Sequence, residues 1–133
     1  MMWLDILPDK FGVGRWRSFM SGVARSLGLQ GRIGIHILND KELCRVNRRV
    51  FGKTYRTDVI TLLYDEGELT GEIMLSLDAA RRQAKERGVA VDDELQRLLV
   101  HGLAHLAGHD DMKKKVLRRM RGAEFELLMR HYI

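Results

Sequence analysis

The chain has 133 residues, 45% of them apolar and 31% charged, with a single proline; this is enough sequence for one folded domain, residues 1–133, and excludes a disordered tail or a second core. Its formal charge of +5 favours a polyanionic partner, nucleic acid or an anionic membrane surface. A lone cysteine, Cys44, excludes an internal disulfide, a cysteine-rich zinc cluster and a CxxC redox pair.

No run of about 18 apolar residues is present, so no membrane span is expected. The N-terminal MMWLDILPDK has no basic lead and is broken by Asp5 and Pro8, unlike a secretory signal. These features and the single cysteine fit a cytoplasmic protein with no membrane and no disulfide-linked partner.

Phe11, Trp16, Phe19, Met20, Val23, Ala24 and Leu27 recur at helical spacing and Gly28 follows, predicting a first amphipathic helix. Ile33, Ile35 and Ile37 alternate with Arg32, Gly34 and His36, the period of a strand with one buried face and His36 on the other. Asn39 with Glu42 three residues on predicts a helix start, Leu43, Val46 and Val50 its inner face, and Gly52 its end. Cys44 is read as a small apolar residue on this helix. Thr57–Tyr64 is β-branched and apolar; the turn residues Asp65, Glu66 and Gly67 separate it from Gly71–Leu77, which predicts a hairpin. Ser76 or Asp78 can cap a third helix that ends near Arg87, before Gly88. Asp92 and Asp93 open a fourth, and Val116, Met120, Ala123 and Leu127 predict a fifth over Lys113–Tyr132.

The fourth helix carries the chemistry, in ELQRLLVHGLAHLAGHDD, Glu94 to Asp111. At about 100° per residue, Leu95, Leu98, Leu99, Gly102, Leu103, Leu106 and Ala107 cover most of the circumference and leave His101 and His105 in one narrow strip. Residues four apart lie one turn apart, so the two imidazoles can share an ion. Gly108 can end the helix and turn the chain back to bring Asp111 to the same ion; His109 is the alternative third ligand, should the helix continue. Three protein ligands leave a place for water, which implies catalysis, whereas a structural zinc site is closed by four. In an HExxH peptidase a glutamate follows the first histidine; here that place is Gly102, so peptidase chemistry lacks its base.

The stretch HGLAHLAGHDD resembles the HGxxHxxGYDH motif of the YbeY family of rRNA maturation factors, with His109 in place of the tyrosine and Asp111 in place of the last histidine. The resemblance extends to Asn47 and Lys53, to Thr57, Asp58, Val59, Ile60 and Thr61 (the family's TDVLS or TDIIT strand), and to GEIMLSLDAARRQA, Gly71–Ala84, and covers about residues 30–128. It implies an α+β fold: a single domain with a small mixed β-sheet, about five α-helices, and the metal site at the end of a central buried helix. It further implies a metal-dependent, single-strand-specific endoribonuclease acting in rRNA maturation (16S rRNA 3′ end processing) and ribosome quality control, with one Zn2+ per chain and rRNA and ribosomal particles as partners. His101, His105 and Asp111 would then hold the metal. Aspartate as third ligand would neutralise part of the ion's charge and acidify water less than histidine would.

The family's catalytic arginine falls at Phe51 here, which leaves Arg56, at the entrance to the TDVIT strand, as the nominated catalytic residue. Arg48, Arg49 and Lys53, with Arg45, form one candidate RNA-binding patch, and Lys113, Lys114, Lys115, Arg118, Arg119 and Arg121 another. Tyr55 could stack on a base or pack against the fold. Asp110 could orient a histidine or cap the turn. No role is assigned to His36 or His131. A zinc metallopeptidase-like hydrolase and a non-catalytic ribosome-associated binding module are the alternatives.

Overall fold

The computed structural model describes residues 2–6, 16–29, 31–54, 56–64, 69–107 and 116–117. They comprise β1 (Met2–Ile6), α1 (Arg17–Ser26), β2 (Gly31–Leu38), α2 (Asp40–Phe51), β3 (Val59–Tyr64), β4 (Leu69–Ser76), α3 (Leu77–Arg87), α4 (Val91–Ala107) and β5 (Val116–Leu117). The strands form one mixed sheet in the order β1-β2-β4-β3-β5. β1 and β4 run parallel to β2, β3 is antiparallel to β4, and β5 is parallel to β3. The expected hairpin is present, with Val59 opposite Leu75 and Leu63 opposite Gly71.

Both faces of the sheet are covered. Ile33, Ile35, Ile37, Ile73 and Leu75 point to one side and pack with Trp16, Met20 and Ala24 from the α1 region and with Leu95, Leu98, Leu99, Leu103 and Leu106 of α4. Leu38, Ile60, Leu62, Tyr64 and Met74 point to the other and pack with Leu43 and Val46 of α2. Full burial of such a side chain contributes about 1.5–3 kcal/mol, so these two layers supply most of the drive to fold.

Several boundaries follow the expected chemistry. Asn39 and Glu42 form a reciprocal capping box, and α2 ends on Gly52 with φ 65°, a conformation open to glycine at little cost. Ser76, not Asp78, caps α3: its Oγ accepts from the Ala79 N–H at 3.0 Å. Asp78 instead accepts from the Asp40 N–H at 2.9 Å.

The structure corrects the expectations at four places. β1 was not anticipated and extends the sheet past β2. β2 is buried on both faces from Ile33 to Leu38, because α2 folds back over the side assigned to solvent. Val116 and Leu117, expected in a fifth helix, pair with Leu63 and Tyr64 as a strand; the rest of that segment, like Phe11 of the first helix, lies outside the described residues. Four helices are therefore present among the described residues, where about five were expected.

Candidate functional site

α4 lies across the sheet because its apolar side is broad and one position on it has no side chain. A Cβ on Gly102 would lie 2.7 Å from Ile73 Cγ2, so only glycine lets the helix approach β4 this closely. One turn on, Leu106 packs over Gly71, where a Cβ would come 3.0 Å from Leu106 Cδ2 and 2.8 Å from the Leu62 carbonyl oxygen. These contacts fix both the rotation and the axial position of the helix, and with them the histidines.

His101 is exposed and His105 is buried, 6% accessible. Their ring centroids lie 4.3 Å apart with the planes tilted by 60°. The strip seen in the sequence thus becomes one imidazole at the rim and one below it, a spacing at which both can turn a nitrogen to one ion. Among the described residues no third His, Cys, Asp or Glu completes a ligand group. Asp111 and His109, the two candidates for that place, and Gly108 and Asp110 beside them, lie outside the described residues.

Position 102 also bears on the reaction class. A side chain there would start inside the core against Ile73, so the place of the HExxH glutamate is occupied by packing.

Arg56 pairs with Asp40. Its Nη1 is 3.3 Å from Asp40 Oδ2, and Asp40 also accepts from Arg82 Nη1 at 2.7 Å and from Ser76 Oγ at 2.7 Å. The Arg82 hydrogen bond above all, assisted by Ser76 and Arg56, lowers the Asp40 pKa to about 2 against the opposing effect of burial. Asp40 sits at the Ser76 end of β4, whereas Gly102 and Leu106 lie over Ile73 and Gly71. At about 3.3 Å per residue, roughly 10 Å of strand separates Ser76 from Ile73, over which Gly102, the neighbour of His101, lies. Arg48, Arg49 and Lys53 are exposed at the other end of α2, whose first residue, Asp40, sits beside Ser76 and which packs over the sheet. Tyr55 and the Lys113–Arg121 patch, apart from the strand pair 116–117, lie outside the described residues.

Two polar constellations lie outside the residues nominated from the sequence. The first surrounds Glu94, whose side chain is 2% accessible. Arg97 Nε donates to its Oε1 and Oε2 at 3.1 and 2.9 Å, and Arg87 Nε lies 3.2 Å from Oε1. Arg97 Nη2 also donates to Gln83 Oε1 at 2.9 Å, and Gln83 Nε2 to Asp58 Oδ2 at 3.0 Å. The spacing 94, 97, 101, 105 keeps Glu94 and Arg97 on the histidine strip, and that pattern could have revealed it. The second is the pair His36 Nε2 and Glu72 Oε2, 2.5 Å apart and buried on the α2 side. A Cβ at Gly34 would run into the Glu72 carboxylate, so glycine there makes room for the pair.

The site is thus a pair of histidines, one turn apart, on the helix that crosses a small mixed sheet. Residues 16–132 match the family model described as Endoribonuclease YbeY. The Endoribonuclease YbeY of Bacteroides thetaiotaomicron is 39% identical over 95 residues, 70% of this chain and 69% of that protein. That of Myxococcus xanthus is 36% identical over 118 residues, 82% of this chain but 37% of a longer protein. A solution structure from Thermotoga maritima, 20% identical, superposes with a TM-score of 0.60 over 98% of this chain and 86% of that one, which supports the fold. The chain belongs to the YbeY family.

Proposed function

We propose that this protein is a metal-dependent endoribonuclease that cuts single-stranded RNA in rRNA maturation, including 16S rRNA 3′ end processing and ribosome quality control. The observation that carries the reading is the His101–His105 pair, set on a helix whose rotation Gly102 fixes, in a chain of this family. His101 and His105 would hold the ion with Asp111 or, in its place, His109; two imidazoles and a carboxylate suit zinc. Bound there, the ion would supply a Lewis acid for a phosphoryl oxygen and acidify water towards neutrality.

The chain's own residues do the rest. The buried His105 orients the site, the exposed His101 forms its rim, and Arg48, Arg49 and Lys53 attract the RNA backbone by charge. Arg56, exposed and paired with Asp40, is the nominated arginine for charge developing on the phosphoryl oxygens. Ribosomal particles in the cytoplasm are where such an enzyme would work; no helix among the described residues is long and apolar enough to cross a membrane.

The test is metal analysis of the purified protein together with cleavage of a single-stranded RNA by wild type, His105→Ala and Asp111→Ala. Wild type should carry about one zinc per chain and cut; both variants should lose metal and cleavage together. Normal metal content and normal cutting in both variants would overturn the proposal.

A further inference from the structure

The ion pair at Glu94 is built differently from an ordinary surface pair. The carboxylate is inside, with 2% of its side chain accessible, and both guanidiniums lie at the surface, Arg87 55% and Arg97 38% accessible. One buried negative charge anchors two exposed positive ones and leaves a net charge of +1. Gln83, itself held by Asp58, braces Arg97 from a second side. A guanidinium fixed in this way has already lost much of its rotamer freedom before a ligand arrives, which lowers the entropic cost of binding. Contacts among the described residues engage Nε and Nη2 of Arg97 and Nε of Arg87, and both side chains keep accessible surface.

Position gives this cluster its meaning. With about 100° per residue, Arg97, His101 and His105 fall within an arc of roughly 80° on α4, and Arg97 precedes His101 by about 6 Å of helix axis. Along this strip the inward positions, Glu94 and His105, are buried, and the outward positions, Arg97 and His101, reach solvent. A polyanion lying along the outward edge would therefore meet His101 and the two guanidiniums in succession. Guanidinium matches a phosphate's oxygens in geometry as well as charge.

We propose that Arg97 and Arg87, clamped on the buried Glu94, form a phosphodiester-binding subsite that holds the RNA backbone next to the phosphate at the histidine pair. The proposal rests on the ribonuclease reading and assigns it a substrate contact at the α3–α4 junction, separate from the α2 patch. Arg97 and Arg87 bind backbone and read no base, so they strengthen binding to any sequence equally.

The experiment is fluorescence anisotropy of a labelled single-stranded RNA on the zinc-loaded protein over a potassium chloride series, with wild type, Arg87→Ala, Arg97→Ala and Arg97→Lys. Each guanidinium removed should flatten the slope of log K against log salt by about 0.7, which at 50 mM salt is roughly eightfold weaker binding. Arg97→Lys should keep the slope. Zinc content should not change in any variant, since none touches a ligand. Arg87→Ala keeps the Arg97–Glu94 pair, so it reports even if Arg97→Ala fails to fold. Wild-type slopes in both Arg87→Ala and whichever Arg97 variant folds would overturn the subsite while leaving the ribonuclease reading intact. Failure of wild type to bind or cut RNA would overturn both.

Discussion

His36 and Glu72 show how much a single buried pair can demand. Both are nearly inaccessible, and Gly34 has given up its side chain for the Glu72 carboxylate. Burial of the nearby Tyr64 hydroxyl, with the Glu72 charge second, pushes its pKa far above the ordinary value, so it stays neutral. His36→Leu would leave Glu72 without its imidazole and should cost about 3–5 kcal/mol in urea denaturation, whereas His36→Leu with Glu72→Met should recover most of that. A double variant no more stable than the single would contradict this account. Gly102 makes the opposite demand, for space. Gly102→Glu restores the HExxH pattern, yet the new side chain meets the β-branched Ile73; it should lower stability by about 1–3 kcal/mol or more and confer no casein hydrolysis. The sequence could show that residue 102 was glycine in a helix but not that Ile73 was the reason. Likewise it placed His36 off the isoleucine face and could not say that α2 would cover it with Glu72 alongside, because periodicity separates faces without naming what packs on them.

Elements meet at Asp40. It receives Arg82, Arg56 and the hydroxyl of Ser76 while its own N–H goes to Asp78, so the start of α2, the β4–α3 junction and the segment before β3 converge on one carboxylate. Its pKa of about 2 lies below the ordinary 3.8. A group depressed on folding stabilises the native state above its unfolded value, and that contribution disappears as pH falls from about 4 to about 2. Asp40→Asn should therefore destabilise the protein by roughly 1–2 kcal/mol at pH 7, allowing for solvent screening, and flatten the stability profile between pH 4 and 2. Thermal melts across that range would decide it; a parallel loss of stability with acid in both proteins would count against Asp40. Local signals served well where chemistry was local. The Asn39–Glu42 box, Gly52 and the β3–β4 hairpin were all legible, because each is decided within a few residues. β1 and β5 were not, because a parallel edge strand is defined by a partner far along the chain: Met2 by Gly31 and Val116 by Leu63.

At the scale of the molecule, two layers of helix on a mixed sheet hold the histidine strip of α4 at a boundary between core and solvent, and the two histidines straddle it. That difference separates folding from metal binding. His101 is exposed, so His101→Ala should change the stability of the metal-free protein by no more than about 0.5 kcal/mol. His105 is buried, and its truncation should lower metal-free stability by about 1–3 kcal/mol. Zinc at about 100 times its dissociation constant would add about 2.7 kcal/mol to the wild type. With an unfolding entropy of about 2.1 cal/mol/K per residue, that is a rise in Tm of about 10 °C for a domain of this size. Both alanine variants should lose the zinc-dependent rise although only His105→Ala starts from a lower Tm, a pattern that calorimetry with and without zinc would reveal. A full zinc response in His101→Ala would mean that the ion does not bridge the pair, and the helix strip would then have to be explained by packing alone.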